Sequence, residues 1–284
     1  GAGSAVGVSG TFTTPTLDPE LEIEGGNIVN NGFFVTASAD NSTIRDLAIT
    51  SFVQTGIRPA GSLPDMLDTL LIENNVIGTS PASFTDNPAL RGGRAIVARD
   101  LDNSTIRNNL IGWTSWGIQF DFDNEDTLIE RNEIRGVGTW GMYLRGVAST
   151  SQQPERLTVQ GNLVENSGND GIYTTEALGD FTLNENTVRF NGTGVRLWGN
   201  NNSVTGNVIT DNTGTGLLLT GDGLPSYPAP AANLVSQNQF GNNSLPGIDL
   251  VETGVNPDGV TLNDDGDVDD PGANGLLNYP IIES

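Results

Sequence analysis

Polar and apolar positions alternate along this chain in short bursts, and the same burst keeps returning. The run TIRNNLI at 105–111 recurs as LIENNVI at 71–77, LIERNEI at 128–134, TVQGNLV at 158–164, TLNENTV at 182–188, SVTGNVI at 203–209 and LVSQNQF at 234–240; a weaker copy, TIRDLAI, sits at 43–49. Each run is followed, after a polar turn, by a small residue and an apolar one, as in Gly117-Ile118, Gly141-Met142 and Gly171-Ile172, with Ala95-Ile96 the variant. A period of two places one side chain in and the next out, as a strand requires. A helix would space its apolar residues by three and four over a longer window. The first apolar residues of successive runs (Ile44, Ile72, Ile106, Ile129, Val159, Leu183, Val204 and Val235) lie 21 to 34 positions apart. The shortest intervals read as a bare coil and the longer ones as a coil plus an inserted loop. The pattern therefore predicts a solenoid whose unit is strand–turn–strand–turn.

One polar position inside the run is nearly fixed. Asn stands there as Asn75, Asn109, Asn132, Asn162, Asn186, Asn207 and Asn238, with Leu47 the exception. Asn tolerates the left-handed backbone of a sharp bend, and amides stacked about 4.8 Å apart can bond from coil to coil. A buried structural ladder is expected. The pattern TIxxNxI…GI resembles that of right-handed parallel β-helix repeat proteins, related in fold to the pectate lyases, over about residues 40–250. The stretch GIDLVETGVNPDGVTLNDDGDVDDPGANGLLNYPII is similar to the closing segment of β-helix modules in large bacterial surface proteins. The resemblance implies an all-β chain: a right-handed, single-stranded parallel β-helix of about eight to nine coils at 41–250. It would lie between an N-terminal cap (1–40) and a C-terminal cap with an Asp-rich loop (251–284), the caps covering strand edges that end coils leave unpaired. It also implies a bacterial protein, extracellular or on the cell surface, and part of a larger surface protein.

Composition narrows the chemistry. Neither Cys nor His occurs, and all 12 cations are Arg. Disulfides, thiolates, the commonest general base, Ser–His triads, Schiff bases and the phosphate-loop lysine are thereby excluded. The pectinase-type Gly-His-Gly of the resembled architecture is impossible without His, and no Arg-Ile-Lys is present. A lyase with Arg or Tyr as base remains open. The formal net charge of -23 repels nucleic acid and anionic membranes, and no apolar run is long enough to span a bilayer. Neither a nucleic-acid partner nor direct membrane insertion is expected. The opening GAGSAVGVSG lacks a basic start and a long apolar stretch, so it reads as a mature boundary.

Three patterns are candidates for function. Outward positions of the first strand run Arg45, Glu73, Arg107, Glu130, which predicts a solvated ladder of opposite charges. Outward positions of the second strand bring Asp121, Tyr143, Arg145, Tyr173, Arg196 and Trp198 together, with Trp116 and Trp140 in the turn just before Gly117 and Gly141. Rings for sugar faces beside charges for hydroxyls or carboxylates are what a polysaccharide-binding face needs, although stacked aromatics also stabilise neighbouring coils. Two or three arginines on a strongly negative protein favour an acidic sugar chain. Acidic residues cluster at Asp121, Asp123, Glu125 and Asp126, and again around Asn263, Asp265, Asp267 and Asp269, where alternation with Gly266 resembles the first half of a calcium loop. Calcium is the one cofactor this pattern suggests. The expected function is adhesin-like recognition or scaffolding, glycan-binding and non-enzymatic. The alternative is a polysaccharide lyase or epimerase working on the aromatic face, favoured if the inserted loops at 58–68, 145–156 and 221–232 wall a deep groove.

Overall fold

The computed structural model describes residues 17, 19–61, 65–79, 84–145, 156–175, 179–220 and 232–251, the side chains of 122 and 123 excepted. Through them the chain winds as a right-handed parallel β-helix with three strands per coil, rather than the two that the seven-residue runs suggested. The bend before the ladder Asn splits each run. Thr105–Arg107 and Leu110–Gly112 are separate strands, and Trp116–Glu125 is the third of that coil. Strands of the first kind form sheet I, eight strands from Thr43–Arg45 to Leu234–Ser236. The second kind form sheet II, nine strands from Leu21–Glu24 to Gln239–Gly241. The third kind form sheet III, from Asn31–Thr36 to Ile248–Leu250, with Leu67–Asp68 pairing beside it. Residues 21–36, assigned above to the N-terminal cap, thus already supply strands to sheets II and III.

The register follows the repeat. Ile44, Ile72, Ile106, Ile129, Val159, Leu183, Val204 and Val235 are successive partners in sheet I. All but Val235 are buried, and similar columns from sheets II and III complete one continuous apolar core. Each such side chain contributes roughly 1.5–3 kcal/mol on leaving water. The small residue that opens each sheet III strand is dictated by packing. A Cβ on Gly171 would lie 2.6 Å from Val188 Cγ1 and 2.7 Å from the Gly194 carbonyl oxygen, so one coil's bend touches the next coil's backbone.

The Asn ladder is buried as expected: Asn75, Asn109, Asn132, Asn162, Asn186 and Asn207 are all fully enclosed. Asn162 Nδ2 donates to Asn186 Oδ1 (2.9 Å) and to the Ile129 carbonyl (2.9 Å), while its Oδ1 accepts from the backbone N–H (2.8 Å) and Nδ2 (3.0 Å) of Asn132. The left-handed residue is the one before the ladder Asn, at Asn74, Asn108, Arg131, Gly161, Glu185, Gly206 and Gln237. The recurring amide serves the ladder, and its predecessor makes the bend. Two further columns occupy the other bends. Asn191, Asn212 and Asn243 bond in series after sheet II, and Asn202 and Asn233 bond before sheet I.

Outside the core, sheet I carries the expected charges, with Arg107 Nη2 2.8 Å and Arg45 Nη1 3.8 Å from Glu73. Both guanidinium groups are well exposed, but the Glu73 carboxylate they share is buried, so this part of the ladder is less solvated than expected. The outer face of sheet II is less solvated. Val76, Leu110, Phe84 and Trp113 form a second apolar cluster with Leu17. Beside it Glu133 is fully buried and paired with Arg135, which also reaches Glu165 (2.7 Å).

Candidate functional site

The bend between sheets II and III places one residue per coil immediately before the obligatory small residue. Backbone bonds fix this column: Trp116 is the register partner of Arg94, the Gly117 N–H donates to the Trp140 carbonyl (3.1 Å), and the Gly141 N–H donates to the Asp170 carbonyl (3.2 Å). The column therefore reads Arg94, Trp116, Trp140, Asp170. Three residues further along each strand a second column reads Gln119, Tyr143, Tyr173, Arg196. Four rings from the two columns meet. Trp116 and Trp140 are edge-to-face at 4.5 Å, Tyr143 lies 4.9 Å from Trp140 and 5.4 Å from Trp116, and Tyr173 lies 5.5 Å from Tyr143. All four are half-buried, so each keeps part of its side chain open to solvent.

Arginines bound this cluster on both sides. Arg196 Cζ is 5.5 Å from the Tyr173 ring centroid, and its guanidinium forks onto Asp170 through Nε–Oδ2 (3.0 Å) and Nη2–Oδ1 (3.3 Å). An open depression of about 530 Å³ lies here, lined by Trp140, Asn169, Asp170, Tyr173, Thr193 and Arg196 among others. At the other end Arg94 Cζ stands 4.6 Å over the Trp116 ring. Neither Arg94 nor Asp170 was picked out from the sequence. Both stand immediately before the small residue of their coil, the position that singled out the two Trp residues, and that register would have found them.

The remaining expected residues sit further off. Arg145 partners Thr175, two residues along the strand from the Tyr column, and Trp198 stands at the same offset from Arg196. The Trp198 N–H and carbonyl are both tied to the Thr174 hydroxyl, at 2.7 and 3.0 Å. Asp121 faces Arg99 in register and accepts from Gln119 Nε2 (2.7 Å). In the acidic turn Arg156 Nε donates to Asp126 Oδ1 (2.6 Å), which holds the Asp126 carboxyl below its ordinary value. Asn263, Asp265, Asp267 and Asp269 lie outside the described residues, as do 62–64, 146–155 and 221–231 of the inserted loops. Among the described residues no three acidic side chains are arranged to hold a metal.

No match appears among curated protein sequences. The N-terminal fragment of bacteriophage Phi29 gene product 12 superposes with a TM-score of 0.50 at 13% identity, over 85% of this chain and 59% of that one. PfbA, a surface adhesin of Streptococcus pneumoniae, gives 0.49 at 13% identity, over 82% of this chain and 60% of that one. The A-module of mannuronan C-5 epimerase AlgE6 from Azotobacter vinelandii gives 0.46 at 12% identity, over 80% and 68%. This chain spans about three-fifths of the phage and adhesin structures, and at these identities the likeness is one of fold.

The family model described as periplasmic copper-binding protein (NosD) matches residues 68–249. Copper selects imidazole, thiolate and thioether donors. This chain has neither His nor Cys, and of its two Met residues Met142 is fully enclosed in the core between Ile118 and Ile172. The donor set does not fit copper. No helix among the described residues is long and apolar enough to cross a membrane. Since the match runs through most of the stacked coils, the chain belongs to the NosD family of β-helix proteins.

Proposed function

We propose that this chain is a non-catalytic recognition module of the periplasm or cell exterior, binding an acidic polysaccharide on the ring cluster of sheet III. The observation that carries the reading is the contiguous set Trp116, Trp140, Tyr143 and Tyr173, half-exposed and edged by Arg94 and Arg196 on a protein of net charge -23. Rings offer flat apolar faces to sugar C–H groups, and guanidinium groups offer forked donors to carboxylate or sulfate. The site is open and shallow, which suits binding of weak affinity, roughly millimolar to micromolar.

A glycan array followed by calorimetry tests this. Acidic oligosaccharides should bind, and Tyr143→Ala and Arg196→Ala should each weaken binding about tenfold. Failure of acidic and neutral sugars alike, or parental binding by both variants, would overturn it. One observation favours the rival reading, a lyase or epimerase: the Tyr173 phenol lies against the Arg196 guanidinium inside the depression. Appearance of unsaturated or epimerised product in the same incubations, lost in Tyr173→Phe, would establish that reading instead.

A further inference from the structure

The ring cluster has two unlike ends. Among the described residues at least eight of the twelve arginines hold a carboxylate within ion-pair distance, and Arg196 is one of them, its charge offset by Asp170. Arg94 is different. Among the described residues its guanidinium faces only the Trp116 ring, in a chain where acidic residues outnumber cations 35 to 12. An unpaired guanidinium over an indole keeps its forked donors for an anion arriving from solvent. The Asp170–Arg196 pair is close to neutral and presents acceptors beside donors, the complement of sugar hydroxyls.

Resting on the reading above, we propose that Arg94 is the anion anchor of the site and that a linear glycan lies along the solenoid axis. Its carboxylate or sulfate sits at Arg94, its rings pass over Trp116 and Trp140, and its neutral hydroxyls reach Asp170 and Arg196. Arg94 and Asp170 stand three coils apart in one column, roughly 14 Å at one strand spacing per coil. Sugars of an extended chain repeat at a similar spacing, so a tetramer is the shortest oligomer that engages both ends. The site is thereby directional: one end requires charge and the other does not.

Calorimetry with galacturonate dimers, tetramers and hexamers, and with neutral cello-oligosaccharides of the same lengths, tests the assignment. For the parent protein, affinity should rise sharply from dimer to tetramer, level off by the hexamer, and fall with added salt. Arg94→Gln should weaken the acidic tetramer about tenfold and remove most of the salt dependence, leaving the neutral tetramer unchanged. Arg94→Lys should recover part of the loss, and Arg131→Gln, an exposed arginine off the face, should bind like the parent. Unchanged thermal midpoints would confirm intact variants. Parental binding of the acidic tetramer by Arg94→Gln overturns the anchor while the general reading stands. Failure of every oligomer on the parent protein overturns both.

Discussion

The solenoid stacks like residues at two of its bends with opposite results. At the bend between sheets I and II the amides of Asn75 to Asn207 bond to one another and to the backbone, leaving nothing exposed. At the bend between sheets II and III the stacked Trp116 and Trp140 lean on each other edge-to-face yet keep their outer surfaces half open, and the flanking Arg94 has no carboxylate among the described residues. The same coil spacing supports both columns. The difference is chemical: an amide carries a donor and an acceptor and can saturate its own kind, whereas an indole face cannot. A self-saturating column holds the fold, and an unsaturated one is available to a ligand.

Breaking the saturated column should have the largest effect. Asn162→Ala removes the donors to Asn186 and Ile129 and strands the Asn132 amide inside the core. A loss of about 3 kcal/mol is expected, read as a lower denaturant midpoint at unchanged m-value. An unchanged midpoint would show that the ladder is not needed.

Like charges close together in sequence have a third solution, a bound cation. Asp265, Asp267 and Asp269, with Asn263, are proposed to hold calcium. At an ion concentration a hundredfold above the dissociation constant the folded state would gain about 2.7 kcal/mol by mass action. Thermal scans with chelator and with excess calcium that superimpose would reject it. Opening the unsaturated column further should matter less to stability than to binding. Trp140→Ala removes ring contacts with Trp116, Tyr143 and Tyr173. A stability loss of about 1 kcal/mol, with acidic-glycan binding reduced at least about tenfold, is expected. Loss of stability with binding intact would make the rings structural.

Much of this was legible because a repeated sequence gives its own register. Aligning TIRNNLI with its copies identifies the core columns and the Asn ladder without any knowledge of turn geometry. The division of each run into two strands was not legible, since three residues on either side of the bend, as in Thr105–Arg107 and Leu110–Gly112, are too few to show a period of their own. Arg94 stands just before the Ala95-Ile96 pair, which aligns with Gly117-Ile118, but it carries no ring, and the rings alone marked this column in the sequence. Trp198 was grouped with Arg196 because alternation places both on one side. A step of two along a strand moves away from the rings, however, and only a step of one coil moves toward them. The apolar cover on sheet II depends on Phe84, which comes from an insertion outside the repeat and carries no periodic signal.

The smallest effect expected concerns a column that neither saturates nor binds. Asp68 and Glu125 are the register partners of Asp102 on either side, at the bend between sheets III and I. Burial pushes the Asp102 carboxyl above its ordinary value, and the charges of Asp68 and Asp126 add to this, against the opposing Asn103 N–H and Arg156. A carboxyl raised in the folded state binds its proton more tightly there than in the unfolded chain. Its contribution is fully present below the unfolded pKa and is lost as pH rises through the folded one. At neutral pH the ionised Asp102 therefore costs stability, and Asp102→Asn should raise the thermal midpoint by only about 1 °C at pH 7. Below pH about 4 the parent carboxyl is itself protonated, and the two proteins should melt together. A variant less stable than the parent at pH 7 would mean that this column, too, is saturated.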